Sequence, residues 1–127
     1  MINVTIIGLG DIGLLYDTNL ESNSALSHAK AIYLNKEFNL KYAIDIDTSK
    51  SELIKVLFPE VIFMTDYKQL YLKDDIDLLV ISTPTPMHFE ILNFFSTKND
   101  IKLFFVEKPL FEKQSDYDKM ENKFKNK

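Results

Sequence analysis

The 127-residue chain has no cysteine and no tryptophan, only three glycines, and no arginine, so all fifteen of its basic residues are lysines. Without cysteine there is no disulfide framework, no thiolate nucleophile and no Cys-type zinc site. With two histidines, a metal centre has few ligands to draw on, and none is expected. Without arginine the chain lacks the side chain best shaped to grip a phosphate through two parallel hydrogen bonds. No apolar run approaches the ~20 residues needed to span a bilayer, and the first residues lack the basic start and cleavage pattern of a secretory signal. We therefore expect no membrane partner and a cytoplasmic location. A net charge of −4 with no basic block argues against nucleic acid, whose affinity for proteins comes largely from clustered cations. What remains is a globular chain, 46% hydrophobic, with enough apolar residues for one domain and a real core.

The few glycines are not scattered. All three lie in Gly8-Leu9-Gly10-Asp11-Ile12-Gly13, directly after an apolar run at residues 2–7. In a dinucleotide-binding strand–turn–helix unit the first glycine makes a tight turn and the second lets the backbone approach a pyrophosphate. The third allows close helix–strand packing, and the helix start offers free N–H groups to phosphate.

Apolar runs alternate with helical patterns along the rest of the chain, as in a parallel sheet covered by helices. A short helix follows the glycines, then a polar loop at 17–24, then a helix carrying Leu26, Ala29, Ile32 and Tyr33 at helical spacing. Residues 40–45 read as the second strand and 61–64, 76–82 and 101–106 as three more, each of these three apolar on both faces as buried parallel strands are. Thr48 or Asp47 is placed to cap a helix carrying Leu53, Ile54, Val56 and Leu57, which Pro59 ends. A helix entered through Pro84 and Pro86 carries Phe89, Ile91, Leu92, Phe94 and Phe95, an aromatic stripe that reads as core. A last helix carries Tyr117, Met120 and Phe124, followed by a lysine-rich, solvated end. The expected fold is α/β, a Rossmann-type doubly wound parallel sheet of about five strands, with 1–127 as one dinucleotide-binding domain.

Asp45 ends the second strand, where such a fold sets an acid to receive the ribose 2′-hydroxyl; Asp47 is the reserve. The interval from the glycines exceeds the usual spacing of about 20 residues, and the polar loop accounts for the surplus. A carboxylate there repels a 2′-phosphate with no arginine to compensate, which favours NAD over NADP, although Lys50 can soften the preference. Two more clusters follow strands: Ser82-Thr83-Pro84-Thr85-Pro86-Met87-His88 and Val106-Glu107-Lys108-Pro109-Leu110. Taken singly they read as turn punctuation, a satisfied histidine and a surface ion pair. At the carboxyl ends of parallel strands they converge on the ligand crevice.

Taken together, in this order, the glycine turn, Asp45, Thr83-Pro84-x-x-x-His88 and Glu107-Lys108-Pro109 resemble the glucose-fructose oxidoreductase, inositol dehydrogenase and rhizopine-catabolism family (Gfo/Idh/MocA) over nearly the whole chain. The resemblance implies cofactor contacts from Gly8, Gly10, Asp11, Ile12 and Gly13, from Asp45, from Ser82, Thr83, Pro84 and His88, and from Glu107, Lys108 and Pro109. It implies that Lys108 is the catalytic group beside nicotinamide and substrate, that Glu107 helps to place it, and that the Lys108–Pro109 peptide is cis. It implies a nicotinamide dinucleotide as partner and a sugar, polyol or related hydroxylated metabolite as substrate. Family members continue into a last Rossmann strand and a second α/β domain, so with a sequence ending at Lys127 the resemblance implies that the substrate half is absent. The competing expectation is a nucleotide-binding or interaction module without turnover, a truncated remnant or a subunit whose partner chain supplies the missing half, with a homodimer or partner docked at the edge or apolar patch such a sheet leaves exposed. A structural interaction domain that binds no nucleotide would make the glycine turn, Asp45 and both later motifs coincidental.

Overall fold

Strand β1 (Ile2–Ile7) is buried from Val4 onward on both faces, as a strand in the middle of a covered sheet must be. In the computed structural model, which describes residues 1–125, its sheet contains β2 (Phe38–Ile44), β3 (Ile62–Met64), β4 (Leu78–Ile81) and β5 (Leu103–Val106). The order is β3-β2-β1-β4-β5 and every pairing is parallel. Helices α1 (His28–Leu34) and α2 (Lys50–Leu57) cover one face; α3 (His88–Phe95) and α4 (Gln114–Phe124) cover the other. Alternation along the strands builds both cores. Val4, Ile6, Ala43 and Val80 pack with Leu14, Ala29, Ile32 and Ile54, while Ile7, Ile44, Leu79 and Ile81 pack with Ile91, Phe95 and Met120.

The register sets the strand ends level. Ile7 lies opposite Ile44 and Ile81, Ile44 opposite Met64, and Ile81 opposite Val106. The next residue of each strand continues the ladder: Gly8 N–H donates to Ile44 O, Asp45 to Met64 O, Ser82 to Ile7 O and Glu107 to Ile81 O. Gly8, Asp45, Ser82 and Glu107 therefore stand in one row. The chain runs outward from β1 to β2 and β3, then returns to place β4 on β1's other side, so the row crosses the point where the winding reverses.

Three local expectations are corrected. Not every strand is buried on both faces: Ile62 of β3 is 47% exposed, and Leu103 and Phe105 of β5 are 54% and 51% exposed, because these two are the edges of the sheet. The first helix is a single π-helical turn, Asp11–Leu15, in which Leu15 N–H reaches Gly10 O and Tyr16 N–H reaches Asp11 O. Neither Thr48 nor Asp47 caps α2. The Asp47 carboxylate accepts from the Ser49 hydroxyl at 2.7 Å and the Ser49 N–H at 3.0 Å, bonds that close the preceding turn and hold its carboxyl below the usual range. The aromatic stripe of α3 does enter the core, with Phe95 fully buried. No helix of the described residues is long and apolar enough to cross a membrane. The expected lysine-rich end includes residues 126–127, which lie outside the described residues.

The inserted loop is organised by a buried lysine. Lys30, fully buried on α1, donates from Nζ to Asn19 O, to Ser22 Oγ at 2.8 Å and to Ser24 O at 3.1 Å, with Asp17 Oδ1 at 3.6 Å. The loop is thus folded around an ammonium group that supplies its donors. Lys30→Met should cost about 3 kcal/mol, because it strands Asp17 and three acceptors around a buried site. Urea unfolding checks the loss, and limited proteolysis should show faster cleavage within 17–26.

A second polar cluster ties β2 to the loop before β4. Tyr42 donates its hydroxyl to Asp75 Oδ1 at 2.9 Å, and Lys41 Nζ lies 2.6 Å from Asp75 Oδ2. Burial, reinforced by Asp75, pushes the Tyr42 phenol up to about 12. Burial also acts to raise Asp75, but hydrogen bonds from Lys41 and Tyr42 outweigh it and leave that carboxyl below its ordinary value. A carboxylate held low contributes stability that is complete above its unfolded value of about 4 and is lost as pH falls through the lower folded value. Asp75→Asn should therefore cost about 1 kcal/mol at neutral pH. In urea melts the difference from wild type should shrink below about pH 4, the unfolded value.

Candidate functional site

A cavity of about 830 Å³ opens over the level strand ends. Its wall is the end of β1 and the glycine turn (Ile7, Gly8, Gly10, Asp11, Ile12, Tyr16), the end of β2 (Ile44, Asp45, Ile46), the residues after β3 (Thr65, Asp66, Tyr67) and the end of β4 (Ser82, Thr83, Pro84, Met87). Ligands of open α/β sheets bind at this place in the topology.

Each glycine is there for a different reason. Gly8 has φ +101°, and a Cβ on it would lie 2.7 Å from Ser82 C and Thr83 N. A Cβ on Gly13 would lie 2.2 Å from Gly8 O and 2.8 Å from Ser82 Oγ. Gly10 has neither constraint. Its backbone is extended at φ −75°, ψ −154°, and a Cβ would meet nothing within 4 Å.

Asp45 braces this turn as well as lining the cavity. Its Oδ2 accepts from Leu9 N–H and its Oδ1 from Asp47 N–H, both at 2.8 Å. Lys50 Nζ donates to Leu9 O at 3.1 Å, so the Leu9 residue is held through both its N–H and its carbonyl. Ser82 spends its hydroxyl on Gly8 O at 2.7 Å. Thr83 differs, for its Oγ1 is buried at the cavity wall without a hydrogen-bond partner among the described residues.

Five of the residues marked from sequence lie outside the lining. Gly13 packs beneath the turn. His88 is fully buried, with Nε2 2.9 Å from Thr83 O and Nδ1 2.9 Å from Leu110 O; its expected contact with a ligand is replaced by a hold on the Thr83 backbone. Glu107 turns toward α1, where Oε2 lies 2.7 Å from His28 Nε2, so the surface pair with Lys108 does not form. Lys108 faces a separate hollow of about 580 Å³ lined by Phe104, Val106, Phe111 and Tyr117 among others. Pro109 is exposed, and the Lys108–Pro109 peptide is cis, as the resemblance implied.

Thr65, Asp66 and Tyr67, together with Ile7, Tyr16, Ile44 and Ile46, are in the cavity wall without having been marked from sequence, whereas Met87 belongs to the cluster marked after β4. The first three directly follow β3, so the rule that marked the ends of β4 and β5 marks them too. Burial pushes the Tyr67 phenol up to about 12, with Glu90 adding. The wall carries three carboxylates, Asp11, Asp45 and Asp66, and neither lysine nor histidine. It offers shape, backbone donors and negative charge, and no general base of the imidazole or amine kind.

No protein of curated function matches the chain. Solved structures share its fold. Myo-inositol 2-dehydrogenase from Lactobacillus plantarum aligns with TM-score 0.73 and 24% identity, covering 98% of this chain and 33% of that one. Apo scyllo-inositol dehydrogenase from Lactobacillus casei gives 0.76 and 19%, again over 98% and 33%. GenD2 from gentamicin A biosynthesis, in complex with NAD, gives 0.76 and 17%, over 98% and 31%. The chain thus spans about a third of the length of these structures. The family described as "Oxidoreductase family, NAD-binding Rossmann fold" (GFO_IDH_MocA) matches residues 2–127. With that match over nearly the whole chain, the chain belongs to the Gfo/Idh/MocA oxidoreductase family, as its NAD-binding Rossmann domain.

Proposed function

We propose that this chain is the cofactor half of a cytoplasmic, NAD-dependent oxidoreductase that moves hydride between nicotinamide and a sugar, polyol or related hydroxylated metabolite. The substrate half is supplied by further chain or by a partner subunit. Gly10 carries the reading. The other two glycines answer to contacts inside the chain, whereas at Gly10 a side chain is missing where only an outside group needs the room. The unpartnered Thr83 Oγ1 in the same wall is a second fit to a polar ligand.

On this reading Gly8, Gly10 and Gly13 shape the seat of the pyrophosphate, and the N–H groups of Asp11 and Ile12 face it. Asp45 keeps acceptor capacity for the ribose hydroxyls beyond its two backbone bonds. Ser82 and Pro84 shape the wall, and His88 acts on the site through Thr83. When bound, the dinucleotide supplies the hydride chemistry. Lys108 holds or removes the proton at the reacting alcohol oxygen, with Glu107 and Pro109 fixing its approach. A second reading, a nucleotide-binding module without turnover of its own, is favoured by one observation: Lys108 faces a hollow separate from the cavity.

Calorimetric titration tests the first step. Wild type should bind NADH saturably. Gly10→Val should lose at least about tenfold in affinity, or about 1.4 kcal/mol, while keeping its thermal midpoint within a few degrees. Gly13→Ala, by contrast, should cost about 2 kcal/mol of stability through overpacking. Undiminished binding by Gly10→Val would sink the assignment.

Cofactor choice follows from charge. Asp45 and the neighbouring carboxylates oppose a 2′-phosphate, so NADPH should bind at least about tenfold more weakly than NADH. Asp45→Ala should narrow that ratio, with Lys50 now the nearest side-chain charge on the Leu9 peptide. Tighter NADPH than NADH binding by wild type would reverse the preference.

A further inference from the structure

The chain has two histidines, and both are bonded to the segment that follows β5. His28, the first residue of α1, places Nε2 2.7 Å from Glu107 Oε2. Its ring meets Phe105 edge-on, with centroids 5.2 Å apart at 68°. His88, from the opposite face of the sheet, reaches Leu110 O at 2.9 Å. Lys108 and Pro109 lie between these two ties. We infer that His28 is a positioning residue for the nicotinamide end of the site: by holding Glu107 it keeps that carboxylate off Lys108 and fixes the path of the Glu107-Lys108-Pro109 segment. The inference rests on the nucleotide reading above.

Strand geometry explains why this tie is needed. Among the described residues β5 is an edge strand paired only with β4, and Glu107 N–H to Ile81 O continues its ladder one residue beyond the strand. Past that bond the segment leaves the ladder at an open edge of the sheet, and side-chain ties hold it there. Alternation sends Phe105 and Glu107 to the α1 side and Val106 and Lys108 to the α3 and α4 side. Adjacent opposite charges would otherwise attract when the segment loosens. With Glu107 taken by His28, no carboxylate among the described residues lies within ion-pair distance of Lys108. The side chains of His28 and Glu107 are 20% and 26% exposed, sheltered enough for a charge-assisted bond to count.

ADP-ribose carries the adenosine, pyrophosphate and ribose but no nicotinamide, so the ratio of NADH to ADP-ribose affinity isolates the end at issue. Wild type should prefer NADH. His28→Ala should lower NADH affinity about tenfold, the size of one such bond, and shift ADP-ribose far less. His28→Gln, which restores a donor of similar reach, should recover most of the loss. In a Glu107→Gln background, His28→Ala should add little, since the two act as one unit. Equal losses for both ligands in His28→Ala, or none, overturn the inference while leaving nucleotide binding intact; failure of His28→Gln to rescue also counts against it. Binding of neither ligand by folded wild type overturns the nucleotide reading itself, and the inference with it.

Discussion

The glycine turn closes on the end of β4 at separations that leave no room for one more carbon. Gly8 packs against the Ser82–Thr83 peptide, Gly13 packs against the Gly8 carbonyl, and the Ser82 hydroxyl donates to that same carbonyl. This contact joins the exits of two strands that are neighbours in space and distant in sequence. It also sets the height of Leu9, whose N–H and carbonyl Asp45 and Lys50 then hold from the other side. A methyl group on Gly8 or Gly13 would press against this contact, at the floor of the cavity. The register of the sheet and the shape of the site are therefore one constraint seen at two scales.

Residues whose role is local, or fixed by strand topology, could be read before the fold was seen. A chain with three glycines in six positions announces a backbone turn, and an acid at the end of the second strand follows from the winding of the sheet. Lys30 could not be read this way. A lysine on a short helix ordinarily faces solvent, and two of its partners are backbone carbonyls, which have no sequence signature. The bond between His28 and Glu107 joins positions 79 apart, and neither residue type reveals such a partner. The edges of the sheet were also hidden, since the apolar run of β5 resembles that of a central strand until the strand order is known. His88 was drawn to the right region for the wrong contact: it lies behind the wall of the site and shapes Thr83 from within.

The charges of the site run against simple expectation. A chain rich in lysine leaves three carboxylates and no cation in the cavity wall, so an anionic ligand must be met by peptide dipoles. Backbone N–H groups can do this because they are fixed in direction and carry no competing counter-charge. Such a seat selects by geometry first.

The cavity wall draws on the ends of four strands, β1, β2, β3 and β4, on both sides of the winding reversal. A ligand touching all four acts as a strut across the sheet, adding to the β1–β4 ladder and the side-chain ties that already join its two halves. Whatever it gains on binding is added to the folding stability of the whole sheet, growing with ligand concentration relative to its dissociation constant. For a domain of this size, with two exposed edge strands, the resting state in a cell rich in its ligand is then a sturdier object than the bare polypeptide, and its lifetime against proteases follows the supply of that ligand.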